Sequence, residues 1–209
     1  MDMFRVLLVA ASLLTMPVFA LERDPFGCED IRSGYGPFDY RTASPEQKKL
    51  VEGAHFTPAV ESLLRGNSSE YVGADIDYTL RAFPNHPRAL MAMVRLSEKE
   101  RLDRPRGATY TLECYFDRVI RFAPDDPMVR PIKGIYLFRK GDTKLAAQEM
   151  EAAQAMGLDD PNLHYNLGLV YLELGKDEMA LAHAKRAYAQ GHPLPALREK
   201  LVKAGIWKE

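Results

Sequence analysis

Apolar residues recur at helical intervals through most of the chain. Leu112, Phe116, Val119 and Ile120 mark the stripe that one face of a helix turns toward a core. Leu197, Leu201 and Val202 do the same near the C-terminus, with Arg198, Glu199, Lys200 and Lys203 on the remaining faces. Start and stop signals divide the pattern. Ser44-Pro45-Glu46-Gln47 supplies an N-cap, a proline at the first helical position and a capping-box partner, and opens a helix to about Glu52. Thr57-Pro58 opens the next, with Val60, Leu63 and Leu64 as its apolar face and residues 66–69 as its end. Further helices are predicted at 71–82, 87–101 and 108–122. The turns between them contain Phe83-Pro84-Asn85-His86 and the longer stretch 102–107.

From residue 127 the pattern repeats itself. Residues 127–160 and 161–194 fall into step at a spacing of 34: Gly134 over Gly168, Gly141 over Gly175, Ala146 over Ala180, Ala153 over Ala187, Gly157 over Gly191. Recurrence at one period marks a stack of supersecondary units. Gly134 and Gly168 lie mid-helix, where glycine costs roughly 1 kcal/mol against alanine, so two helices are expected to touch there. Gly141 and Gly175 fit the left-handed position that ends a helix. The alanines lie seven apart on one face of the following helix. Each unit therefore reads as helix, tight turn, helix.

The run Tyr165-Asn166-Leu167-Gly168, with Tyr171, Gly175, Ala180 and Ala187 behind it, resembles the tetratricopeptide repeat. Pro124 matches the proline that closes such a repeat. His164 stands where the family usually has tryptophan, Lys133 replaces the leucine before Gly134, and Leu158 and His192 replace the closing proline. Upstream, Arg81-Ala82-Phe83-Pro84-Asn85 echoes Arg121-Phe122-Ala123-Pro124-Asp125 at a spacing of 40. The resemblance implies an all-α, right-handed superhelical α-solenoid with repeats at 53–86, 87–126, 127–160 and 161–194. A capping helix at 195–206 would turn an apolar side to the last repeat and a charged side to water, with Trp207 over the end of the stack.

Residues 1–20 read as a secretory leader: Arg5, an apolar run from Val6 to Val18, and Val18-Phe19-Ala20 before a cut. The run is short for a membrane span. An uncleaved anchor and lipidation at Cys28 are the alternatives, the latter opposed by Pro25 and the charges at 22–24. Export puts Cys28 and Cys114, the two cysteines of the chain, in an oxidising compartment, where a disulfide is the default; two separate thiols are the alternative. Residues 21–52 form an N-terminal arm and first helix. In the arm, Phe26, Tyr35, Phe38 and Tyr40 are expected to pack against the helices, or else to meet a partner.

Net charge is a balanced −1, without the clustered basic surface that nucleic acid requires. No nucleophile elbow, zinc-protease helix or phosphate loop is present. His164 and His183 fall on the two helices of one repeat and are placed to face each other, as a structural pair or, less simply, a metal pair. Asp75 and Asp77 lie on different helix faces, which does not suit a paired acid and base. No cofactor is implied.

The resemblance implies a concave groove lined by the first helix of each repeat. By register, the second repeat contributes Arg88, Met91, Arg95 and Lys99, and the third Met128, Ile135, Phe138 and Arg139. The fourth contributes Asn162, Tyr165, Leu169, Leu172 and Glu173. Apolar anchors beside charged clamps suit an extended peptide or helix; the same apolar residues also suit packing against the next helix. The expected function is a periplasmic, non-catalytic protein-binding module for part of an envelope protein or assembly. An accessory or small hydrolytic enzyme and a self-assembling structural protein are the alternatives.

Overall fold

The computed structural model describes Cys28 and residues 34–208. The predicted leader and Phe26 lie outside them. Among the described residues the chain is all helical: α1 (Pro45–His55), α2 (Pro58–Glu61), α3 (Val72–Ala82), α4 (Pro87–Glu100), α5 (Leu112–Phe122), α6 (Val129–Lys140), α7 (Thr143–Ala155), α8 (Pro161–Glu173), α9 (Asp177–Ala189) and α10 (Ala196–Lys203). None is long and apolar enough to cross a membrane.

Local chemistry explains the helix ends. Ser44 and Gln47 form the reciprocal capping box at α1. The Asp160 carboxylate accepts from the amides of Asn162 and Leu163 at 2.8 and 2.9 Å, just ahead of Pro161 in α8. Thr111 caps α5. Gly141 and Gly175 end α6 and the α8 segment at φ +92° and +67°, a region open to glycine without penalty. Two predicted helices are shorter than the pattern suggests. α2 stops at Glu61, because Leu63 turns left-handed at φ +58°, and Leu64 is 78% exposed. Residues 108–111 are not helical; Thr109 is instead bonded to Asp77 through its hydroxyl at 3.1 Å.

Packing follows the 34-residue spacing. α6 lies against α7 and α8 against α9, α7 touches α8, α4 touches α6, and α10 closes on α8 and α9. A Cβ added at Gly134 would sit 3.1 Å from the Ala146 carbonyl oxygen; one added at Gly168 would sit 3.4 Å from that of Ala180. The same contact thus recurs at the same register, as the repeated glycines predict. Two apolar clusters result. One runs from Phe56 and Val60 through Leu90, Phe116 and Val119 to Tyr136. The other joins Met150, Leu163, Tyr171, Ala180 and Leu197. Leu137 packs against both. Each fully buried side chain of this kind contributes roughly 1.5–3 kcal/mol.

The arm packs as its aromatics predict. Tyr35 and Phe38 meet at 5.0 Å and Phe38 lies 6.1 Å from the buried Phe83. Tyr40 stands 4.1 Å from His86. The Phe38 amide donates to the Ala82 carbonyl and the Tyr40 amide to the Asn85 side chain, both at 2.8 Å. Cys28 and Cys114 are paired, with Cα atoms 5.4 Å apart. Trp207 rests against Tyr188 at 5.9 Å, with Arg198 over its ring.

Candidate functional site

The residues predicted by register lie along α4, α6 and α8, with Met128 at the N-cap of α6, and their surroundings differ from one end to the other. On α4 the cations hold the preceding segment of the chain. Arg88 pairs with Glu61, its Nε donating at 2.7 Å, and covers the Phe56 ring. Arg95 donates to the Glu61 carbonyl at 2.9 Å and Lys99 to the Leu63 carbonyl at 3.1 Å. These carbonyls are left open where α2 stops, so cations there are favourable. Met91 packs, partly buried, on the first core cluster. Arg139 pairs with Glu98 of α4.

Toward the C-terminus the surface is apolar. Ile135, Phe138, Leu169 and Leu172 are each partly buried against the second cluster. Tyr165 is buried, 8% exposed, and stacks on His192 at 3.9 Å. Met128, 43% exposed, Asn162 and Glu173 remain open to solvent. Burial holds the His192 imidazole below its usual pKa. The apolar stretch is thus half covered by its own fold.

The titratable groups singled out in the sequence are engaged elsewhere. His164, fully buried, approaches Asp159 through Nε2 at 2.8 Å and His183 Nδ1 through its own Nδ1 at 2.9 Å. In the neutral tautomer that donates Nε2–H to Asp159, His164 Nδ1 accepts from His183 Nδ1–H. Burial, with His164 and Arg186 nearby, pushes the His183 pKa down to about 4. Asp75 accepts from the amides of Asn67, Ser68 and Ser69 and contacts His55 at 2.9 Å, so it anchors the 66–70 loop. Asp77 accepts from Tyr115, Thr109 and Arg81. His86 caps α4 through Nδ1 and donates Nε2–H toward Glu52 at 3.2 Å; burial pushes its pKa down to about 4. Among the described residues no three His, Cys, Asp or Glu side chains are grouped to hold a metal.

A feature that sequence reasoning missed lies behind α6. A cleft of about 440 Å³ opens between α5 and α7, with Phe116, Ile120, Leu137 and Leu145 as its apolar lining. Lys133, Tyr136 and Lys140 complete its floor on α6. At roughly 100° per residue, these positions point away from Ile135, Phe138 and Arg139. Its walls come from helices that are neighbours only in space, and no local pattern marks it. Comparison with protein-family models, with curated proteins and with solved structures gives no match for this chain.

Proposed function

We propose that the chain is an exported, non-catalytic binding module of the tetratricopeptide-repeat type. In this reading the hairpins stack as a right-handed solenoid, and a peptide or helix of an envelope protein lies across α6 and α8. The observation that carries it is the recurrence of one helix-to-helix contact, Gly134 on Ala146 and Gly168 on Ala180, at one register. The receiving surface is the apolar stretch Ile135, Phe138, Leu169 and Leu172, flanked by Arg139 and Glu173. Arg88, Arg95 and Lys99 contribute to it indirectly, by fixing the end where α2 abuts α4. A preformed surface leaves most of the ordering cost to the partner. The engagement of the buried Asp75, Asp77, His86 and His164 in structural hydrogen bonds supports a role without catalysis.

Photo-crosslinking in the envelope tests this. A crosslinking side chain at Leu169 or Leu172 is expected to give one discrete adduct, and the same group at Lys185 on the exposed side of α9 none. Adducts from Lys185 alone, or the same adducts from all three, would remove the groove.

A further inference from the structure

We propose that the cleft between α5 and α7 is a second docking surface, made for a segment of another protein that presents an apolar side chain beside a lysine or arginine. The proposal does not rest on the groove. Its volume, about 440 Å³, falls within the range of ligand-binding clefts. The lining grades from Phe116, 1% exposed, to Leu145, 50% exposed at the lip, so an apolar side chain entering there would be covered progressively.

Charge selects the guest. Glu113, Asp117, Asp142 and Glu149 border the cleft against Lys133 and Lys140, four acids to two bases. Both lysines are already matched: Lys133 to Glu149 at 2.6 Å, Lys140 to Glu113 at 3.1 Å. Asp117 pairs with Arg121 one turn along its own helix. Asp142 has no side-chain partner among the described residues. Arg130 also pairs with Glu149, so Asp142 is the unmatched acid among the described residues that border the opening, and it favours a cationic segment there over a phosphate-bearing one.

The repeat itself does not require the opening. Thirty-four residues on, Leu137 becomes Tyr171, Phe116 becomes Met150, Lys133 becomes Leu167 and Glu149 becomes His183. There Tyr171, Met150 and Leu167 are buried in the second cluster, and His183 lies 5.3 Å from the Tyr171 ring. Phe116 and Met150 are buried alike, but Lys133 and Leu137 stay partly exposed where Leu167 and Tyr171 are buried.

The test uses the full mature chain and a short fluorescent peptide of leucine and lysine at helical spacing, followed by anisotropy. A leucine–glutamate peptide is the control. Saturable binding of the leucine–lysine peptide is expected, weakened roughly tenfold or more, about 1.4 kcal/mol, by Asp142→Lys and by Leu145→Asp. Both positions are exposed, so the variants should keep wild-type helicity and melting; Lys185→Glu should leave affinity unchanged. Wild-type affinity in either cleft variant, or equal binding of the glutamate peptide, would overturn the proposal. So would binding only after removal of residues 21–27, which would make the chain's own N-terminal segment the occupant. A concentration-dependent dimer that excludes the peptide would assign the cleft to a second copy and overturn it as well.

Discussion

The hairpins α6–α7 and α8–α9 share their small residues and differ in what lies between them. Arg130 Nη1 meets Glu149 Oε2 at 2.9 Å in the first. Thirty-four residues on, at the same two positions, His164 meets His183 at 2.9 Å in the second. Lys133 also reaches Glu149, whereas Leu167 at the matching position is buried. One helical approach therefore tolerates an ionic interior beside an open cleft, or an imidazole pair packed on Tyr171. The glycine and alanine positions govern how close the helices come. The larger residues decide what the interior responds to.

The largest expected effect lies at the closed end of the second hairpin. Leu197 of α10 is fully buried, and its Cδ2 would stand 2.5 Å from a Cβ at Gly168. Leu197→Ala should cost roughly 2–5 kcal/mol in a denaturant melt. A loss under about 1 kcal/mol would mean that α10 contributes little to the packing of α8 and α9.

The second effect is a dependence on acid. The unfolded His183 pKa is 6.5 and the folded one about 4. Between these values the unfolded chain takes up a proton that the folded chain refuses, so stability is full above pH 6.5 and falls as pH drops toward 4. Below 4 this group adds no further loss. At about 1.4 kcal/mol per unit, and with His183 partly exposed, the change is roughly 2–3 kcal/mol. His86, also pushed to about 4, acts with the same sign over the same window. Its direct neighbours are Glu52, Tyr40, Phe56 and Phe83, with Arg88 opposing protonation. His183→Gln should therefore remove only part of the slope in melts from pH 7 to 4, leaving the His86 share. Asp159 is held below the ordinary carboxylate range by Gln190, His164 and Arg186, so its contribution is lost only at lower pH. The hairpin α6–α7 contains no histidine; importing the pair with Arg130→His and Glu149→His should steepen the slope. An unchanged slope in the double variant would break the comparison.

The third effect separates the two glycines. A Cβ at Gly168 would meet chiefly the terminal methyl of the buried Leu197, with the Ala180 carbonyl oxygen only at 3.4 Å, so for Gly168→Ala the helix-propensity gain of about 1 kcal/mol should offset most of the overpacking cost. At Gly134 it would lie 2.8 Å from Met150 Cγ and 3.1 Å from the Ala146 carbonyl, groups with little room to move. Gly134→Ala should destabilise by roughly 1–3 kcal/mol through overpacking. Thermal melts of the two single variants read the asymmetry directly, and equal shifts would refute it.

What could be read in advance follows the range of the interactions. The capping box at Ser44, the turns at Gly141 and Gly175, and the Gly134 and Gly168 contacts depend on neighbours or on one period, and the sequence exposes both. The His164–His183 encounter followed from the same period. α2 is shorter than its pattern because Leu63 and Leu64 look like a helical face, while Asp75, from a later helix, draws the 66–70 loop to itself. α5 starts later than its pattern because Asp77 engages Thr109. Arg88, Arg95 and Lys99 sit on α4 as register suggests, yet their partners are carbonyls and a carboxylate of a helix cut short. The cleft is the least legible feature, since it depends on the distance between α5 and α7.

The smallest effect bears on that cleft. Lys133→Leu would give α6 the residue that α8 carries at Leu167. The ion pair between Arg130 and Glu149 remains, so no carboxylate is stranded. The lost Lys133 contact is partly exposed, of the kind that contributes about 0–1 kcal/mol, and the added leucine covers apolar floor beside Leu137. The two changes should cancel to within about 0.5 kcal/mol in stability. Binding of a cationic probe should strengthen, because Glu149 would keep one cationic partner, Arg130, instead of two. Unchanged or weaker binding at equal stability would mean that the charge of the rim does not choose the guest.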